Sequence, residues 1–188
     1  MGEFLKTSLD GDVATVTLSR APVNAFSAEL VAEFSAAVVE LSSVEALRVV
    51  VVRSDQKAFC AGADLPTIAS FVEHADPAAQ LKAFSGSLQE ALSRFEVLDA
   101  VTVCEITGAA MGGGLELALA ADFRVASRRA RLGLPEVALG LIPAAGGTQR
   151  LARLCGVGLA RRLILRGEIL IAEQAHAAGL VDAVYAED

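Results

Sequence analysis

The chain has 188 residues, 54% of them hydrophobic and 21% charged, with a net charge of −7. That suits one domain with a sizeable core, and the low charged fraction points to apolar surface covered by a partner subunit. The acidic balance argues against nucleic-acid binding, and the longest apolar runs, 49–52 and 117–121, are far too short to span a bilayer.

Residues 5–9 and 13–19 read as two short strands, with Asp10-Gly11 between them as a hairpin turn. Ser27 can cap a helix that carries Glu29 in its first turn, and Leu30, Phe34, Val38 and Leu41 follow at helical spacing. Residues 48–53 hold four consecutive valines, the pattern of a strand buried on both faces. A loop over 54–65 leads to a second long helix starting near Asp76-Pro77, with a stripe of Leu81, Phe84, Leu88, Leu92 and Phe95.

Residues 101–107 read as an interior strand, with Glu105 out of character. Gly112-Gly113-Gly114 then opens a helix that carries 115–121, and 122–127 is another strand. Gly146-Gly147-Thr148 opens a helix through Leu154, and a short helix spans 157–165. Another runs over 172–178 to a stop at Gly179, before an apolar strand-like end at 180–185. Strands alternating with helices predict an α/β class with crossover connections, open between a doubly wound sheet and a spiral of ββα units.

Cys60, Cys104 and Cys155 are odd in number and match no metal spacing, so reduced thiols in a cytoplasm are expected. His74 and His176 have no ligand-spaced neighbours and read as surface residues, so no metal site is expected. Arg128, Arg129 and Arg131 read as a solvated edge rather than a nucleic-acid stripe. No apolar run marks a signal peptide at the N-terminus.

Two glycine loops follow buried strands: Ala61-Gly62-Ala63-Asp64 and Gly112-Gly113-Gly114. They read either as tight turns or as facing loops whose unpaired N–H groups stabilise one oxyanion. No Gly-Lys-Ser/Thr follows either, so the phosphate-loop pattern fails. Glu116 and Glu136 stand in apolar surroundings, where a carboxyl needs a partner or a purpose. They read either as an acid–base pair with separated pKa values or as ion-pair partners of arginines such as Arg124 or Arg150.

The segments AFCAGADL (58–65), ITGAAMGGGLELAL (106–119) and LPEVALGLIPAAGGTQRL (134–151) resemble the three signature stretches of the crotonase (enoyl-CoA hydratase/isomerase) family. Asn24-Ala25 and the AEQA-to-AGLVD region fit as well, and the resemblance runs from about residue 5 to residue 184. It implies a crotonase-like spiral of ββα repeats forming one core domain over 1–188, assembled as a homotrimer or hexamer. It implies that the backbone N–H groups of Ala63 and Gly113 hold a thioester oxygen. Glu116 would activate water for attack on C3, and Glu136 would deliver a proton to C2. Main chain near Ala25, Ala61, Asp64 and Leu65 would hold coenzyme A, which is part of the substrate rather than a separate cofactor. The acyl pocket would lie between the helix after Pro66 and the segment 140–143.

The implied activity is hydration of a 2-enoyl-CoA in cytoplasmic fatty acid (lipid) metabolism, with no nucleic-acid or membrane partner. The alternatives are an enoyl-CoA isomerase, or related enolate chemistry, and a non-catalytic acyl-CoA-binding subunit. Family members usually continue past the counterpart of Asp188 with helices that close the acyl pocket and support the trimer, so the resemblance implies a chain without that helical region. It departs from the family pattern more mildly at Ala100, Glu105 and Ala144-Ala145, where proline, a small residue and a glycine are common.

Overall fold

A computed structural model describes residues 2–186. Strands β1 (Leu5–Asp10) and β2 (Val13–Leu18) form the expected hairpin, with Asp10 opposite Val13. Helix α1 (Ala28–Leu41) starts at Ser27, whose Oγ accepts from the Leu30 N–H at 3.3 Å. All four residues of its predicted stripe are buried. Strand β3 (Val49–Ser54) follows, then α2 (Leu65–Val72) and α3 (Pro77–Glu96), capped by Asp64 and Asp76.

The remaining chain gives β4 (Val101–Ile106), β5 (Ala109–Met111), α4 (Gly113–Ala120), β6 (Phe123–Ser127) and β7 (Arg131–Gly133). A 3₁₀ turn (Pro135–Leu139), α5 (Gly147–Leu165), β8 (Ile169–Ile171), α6 (Ala172–Ala177) and β9 (Ala183–Tyr185) complete it. Gly156 breaks α5 with φ 81°, so the two helices expected on either side of it are two halves of one element.

The large sheet has the order β1-β2-β3-β4-β6-β9, parallel throughout except for the hairpin. A small sheet, β5-β7-β8, is extended by single bridges from Cys60 to Ala110 and from Phe26 to Ala63. Each of β2, β3, β4 and β6 is therefore followed by a short stretch in the second layer and then by a helix or the 3₁₀ turn. That is a spiral of ββα repeats, and it excludes the doubly wound alternative.

The short strands carry no sequence signal because three residues cannot display an alternating pattern. Strand β3 departs from expectation too. Val50 and Val52 are fully buried while Val49 and Val51 are only half-buried, so one face of the sheet is closed more completely than the other.

Phe34 of α1 meets Phe95 of α3 edge to face at 5.6 Å between centroids, which seats α3 against α1. Among the described residues no helix is long and apolar enough to cross a membrane.

Candidate active site

The first glycine loop joins β3 to α2. The Phe26 N–H donates to the Gly62 carbonyl at 2.7 Å, and the Asp64 N–H donates to the Phe26 carbonyl at 2.9 Å. Along an extended segment successive N–H groups point to opposite sides, so these two bonds turn the Ala63 N–H away from Phe26. Gly62 has φ 93°, a conformation most side chains avoid.

Buried Asn24 fixes the loop from behind. Its Nδ2 donates to Ser54 Oγ (2.7 Å) and to the Phe59 carbonyl (3.1 Å), while its Oδ1 accepts from the Arg20 N–H (2.7 Å). Asp64 caps α2 by accepting from the Thr67 N–H and pairs with Arg20 at 2.9 Å.

The second loop joins β5 to α4. The Gly112 N–H donates to the Gly133 carbonyl at 3.0 Å, which ties the loop to β7. Gly113 is the first residue of α4, where backbone N–H groups have no partner in the preceding turn. A Cβ on Gly114 would stand 2.2 Å from the Cys60 carbonyl, so only glycine lets this helix start press against the first loop. A Cβ on Gly62 would lie 3.4 Å from the Gly113 nitrogen. The two loops thus touch. Among the described residues neither the Ala63 nor the Gly113 N–H has a backbone acceptor, and both residues line one cleft.

Glu116 sits one turn into α4, and every residue of that helix is buried. Its Oε1 accepts from the N–H groups of Ala145 and Gly147, both at 2.8 Å. Oε2 takes no part in these bonds, and Glu116 lines the cleft. Burial pushes the carboxyl up from its ordinary value, opposed by the two N–H donors and by the charge of Arg150.

Glu136 lies in the 3₁₀ turn on the other side of Gly112, whose absent Cβ would stand 3.0 Å from Glu136 Oε1. Its buried Oε2 has no hydrogen-bond partner among the described residues. Burial, with a smaller contribution from the charge of Glu116, pushes it up to about 7.

The ion-pair alternative for the two glutamates is overturned. Arg124 donates to the carbonyls of Ala118, Ala121 and Leu180 and pairs with Asp182. Arg150 pairs with Glu96 at 2.7 Å.

The cleft has a volume of about 940 Å³. Ala61, Ala63, Leu65, Gly113, Glu116 and Glu136 all line it, so the structure brings these six anticipated residues together. Ile68 of α2 and Leu141 and Ile142 of the 140–143 segment add apolar wall. Ala25 and Asp64 lie outside the lining and serve the Arg20 network instead, with Arg20 Nη1 donating to the Ala25 carbonyl at 3.0 Å. Sequence reasoning missed the α3 face, where Phe84 and Leu88 reach the cleft, because an apolar stripe at helical spacing reads simply as core. It also missed Ala145 and Gly147 as donors to Glu116, because a backbone N–H leaves no trace in residue type.

Two unpartnered N–H groups beside two carboxyls of raised pKa, in an apolar cleft on a ββα spiral, define an α/β protein equipped for acid–base chemistry on an oxygen-bearing substrate. A family model described as enoyl-CoA hydratase/isomerase matches residues 9–188, and the chain belongs to that family. It is 39% identical to the Bacillus subtilis protein YngF, whose name assigns it to the enoyl-CoA hydratases/isomerases, over 99% of this chain and 71% of that one. The mouse mitochondrial methylglutaconyl-CoA hydratase is 40% identical over 86% of this chain and 50% of its own length. A solved enoyl-CoA hydratase structure from Geobacillus kaustophilus superposes with a TM-score of 0.93 at 34% identity, over 99% of this chain and 69% of that one. The chain therefore spans about half to seven-tenths of these relatives.

Proposed function

We propose that this protein hydrates 2-enoyl-CoA thioesters to 3-hydroxyacyl-CoA. The observation that carries the reading is the pairing of two unlike carboxyls with two unpartnered N–H groups in one cleft. The N–H groups of Ala63 and Gly113 form an oxyanion hole for the thioester oxygen. Glu116, as carboxylate, takes a proton from water as the water oxygen bonds to C3. The C2–C3 π electrons move toward C1, and the enolate oxygen is held by the two donors. Glu136, protonated up to about pH 7, gives its proton to C2. Glu116 then holds the proton taken from water, and its return to Glu136 through solvent resets the site.

Main chain at Ala61 and Leu65 flanks the cleft and would hold coenzyme A, which enters as part of the substrate. Assembly as a homotrimer or hexamer and a cytoplasmic setting belong to the same proposal. Exposed Leu139, Ile142 and Ile169 beside the cleft are apolar surface of the kind that subunit packing covers. One observation favours isomerisation as the second reading. Glu136 alone, half-ionised near pH 7 with one free oxygen, could carry a proton between C2 and C4.

The test is absorbance at the enoyl-thioester band with crotonyl-CoA, for wild type and Glu136→Gln side by side. Hydration predicts loss of the band with wild type and a rate about 10²-fold or more lower in the variant. An unchanged band with crotonyl-CoA, together with a rising band from a 3-enoyl-CoA, would establish the isomerase instead. No change with either substrate, while calorimetry still detects CoA binding, would leave the non-catalytic binding subunit.

A further inference from the structure

The turn that holds Glu116 is itself held from behind. A Cβ on Gly147 would lie 2.9 Å from both Cγ and Oε1 of Glu116. A Cβ on Gly146 would lie only 2.2 Å from Nη1 of Arg150. The two consecutive glycines thus let one peptide turn be sandwiched, with the glutamate on one side and the arginine on the other. Arg150 is almost fully buried. Nη1 donates to the Ala145 carbonyl at 2.8 Å, and Nε and Nη2 donate to Glu96 Oε2 at 3.1 and 2.7 Å. Glu96 is the last residue of α3 and is exposed. Arg150 does not line the cleft.

We propose that Arg150 is a positioning residue for Glu116. Its fork clamps the 145–147 turn between α3 and α5, so that two N–H groups stay on Glu116 Oε1. Its charge, one peptide layer behind the carboxylate, favours the ionised form that a base requires. Glu96 is the counterweight at the surface. It anchors the fork and also offsets part of the charge that reaches Glu116. This inference rests on the hydratase reading only where it calls Glu116 a base; the clamp itself can be measured without turnover.

The Ala145 and Gly147 amide resonances report the titration of Glu116 directly, because both N–H groups bond its Oε1. In Arg150→Met their titration midpoint rises by about one pH unit, since a missing opposite charge favours the protonated acid. In Glu96→Gln it falls by a few tenths of a pH unit (roughly the scale of a screened surface charge), because Arg150 then acts on Glu116 unopposed. Arg150→Lys keeps the charge without the fork and gives a smaller rise than Arg150→Met.

In turnover, Arg150→Met lowers kcat about tenfold below the acid limb, with KM unchanged, and moves that limb upward by the same amount. A merely structural arginine would shift both variants the same way, through a looser turn. Unmoved midpoints, or a rise in Glu96→Gln, would overturn the proposal. Should Arg150→Met fail to fold, the surface variant Glu96→Gln decides it by the sign of its shift. A wild type that binds CoA but hydrates nothing would sink the hydratase reading, while the amide titration would still decide for or against the clamp.

Discussion

Glu116 and Glu136 face the same cleft with opposite kinds of support. Glu116 is in the interior of a wholly buried helix, yet its carboxyl has two N–H donors at 2.8 Å and an arginine behind them. Glu136 is less buried, on a 3₁₀ turn, and one of its oxygens has no partner among the described residues. Burial alone would protonate the deeper group first. The hydrogen bonds go the other way, because a carboxylate accepting backbone N–H bonds is favoured in its charged form. In the proposed hydration the more buried carboxyl therefore serves as the anion that takes a proton, and the more exposed one as the acid. Environment, not residue type, divides the roles.

The sharpest way to break this comparison is to remove each charge in turn. Glu116→Gln and Glu136→Gln should each slow hydration by about 10²–10⁴-fold with little change in KM. Their pH profiles should differ. Glu136→Gln should lose the alkaline limb, and Glu116→Gln the acid limb. If stopped-flow rates for the two variants lost the same limb, the division of labour would be wrong.

The surrounding glycines allow a second comparison at lower cost. Gly147→Ala puts a methyl group 2.9 Å from Glu116 Cγ, and 3.2 Å from Pro143 on its other side, so the fixed carboxyl must leave its donors. The nearest atom that Gly112→Ala meets is Glu136 Oε1, at 3.0 Å, the far end of a flexible side chain. We expect Gly147→Ala to lose about 2–3 kcal/mol by overpacking. Gly112→Ala should lose about 1–3 kcal/mol, from its backbone conformation (φ 51°, ψ −124°) rather than from a clash. Urea denaturation of both measures the difference. A Gly147→Ala variant as stable as wild type would mean that Glu116 is not held tightly against the turn.

The same contrast explains what could be read from sequence. The long strands, the stripes of α1 and α3, and both glutamates were legible, because a carboxyl in a run of Leu and Ala is chemically conspicuous. The order of the second sheet was not, since β5, β7 and β8 have three residues each and show no period. Arg124 and Arg150 were plausible partners by type and proved to be engaged elsewhere. The true partners of Glu116, the N–H groups of Ala145 and Gly147, belong to residues whose side chains carry no polar group. Asn24 was visible only as part of a motif. Its work, a buried amide tying Ser54 and Phe59 to the 20–24 turn, needed the tertiary structure.

The smallest effect tests Glu136 through stability rather than rate. Its carboxyl is pushed up from 4.5 to about 7. The folded chain therefore binds this proton more tightly than the unfolded chain does. The associated stability is fully present below about pH 4.5 and is lost as pH rises through about 7. A shift of this size corresponds to about 3 kcal/mol for a fully enclosed group, and screening by solvent at a partly exposed carboxyl reduces it to about 1 kcal/mol. Glu136→Gln removes the charge and with it that loss. The variant should melt about 2–4 °C above wild type at pH 8 and show no advantage at pH 4.5. The parallel substitution Glu116→Gln should gain less at pH 8, because two N–H donors and the charge of Arg150 oppose the effect of burial there. A melting difference for Glu136→Gln that stayed constant with pH would mean that this carboxyl titrates as it does in the unfolded chain and is ionised at neutral pH, and the acid of the pair would have to be sought in Glu116.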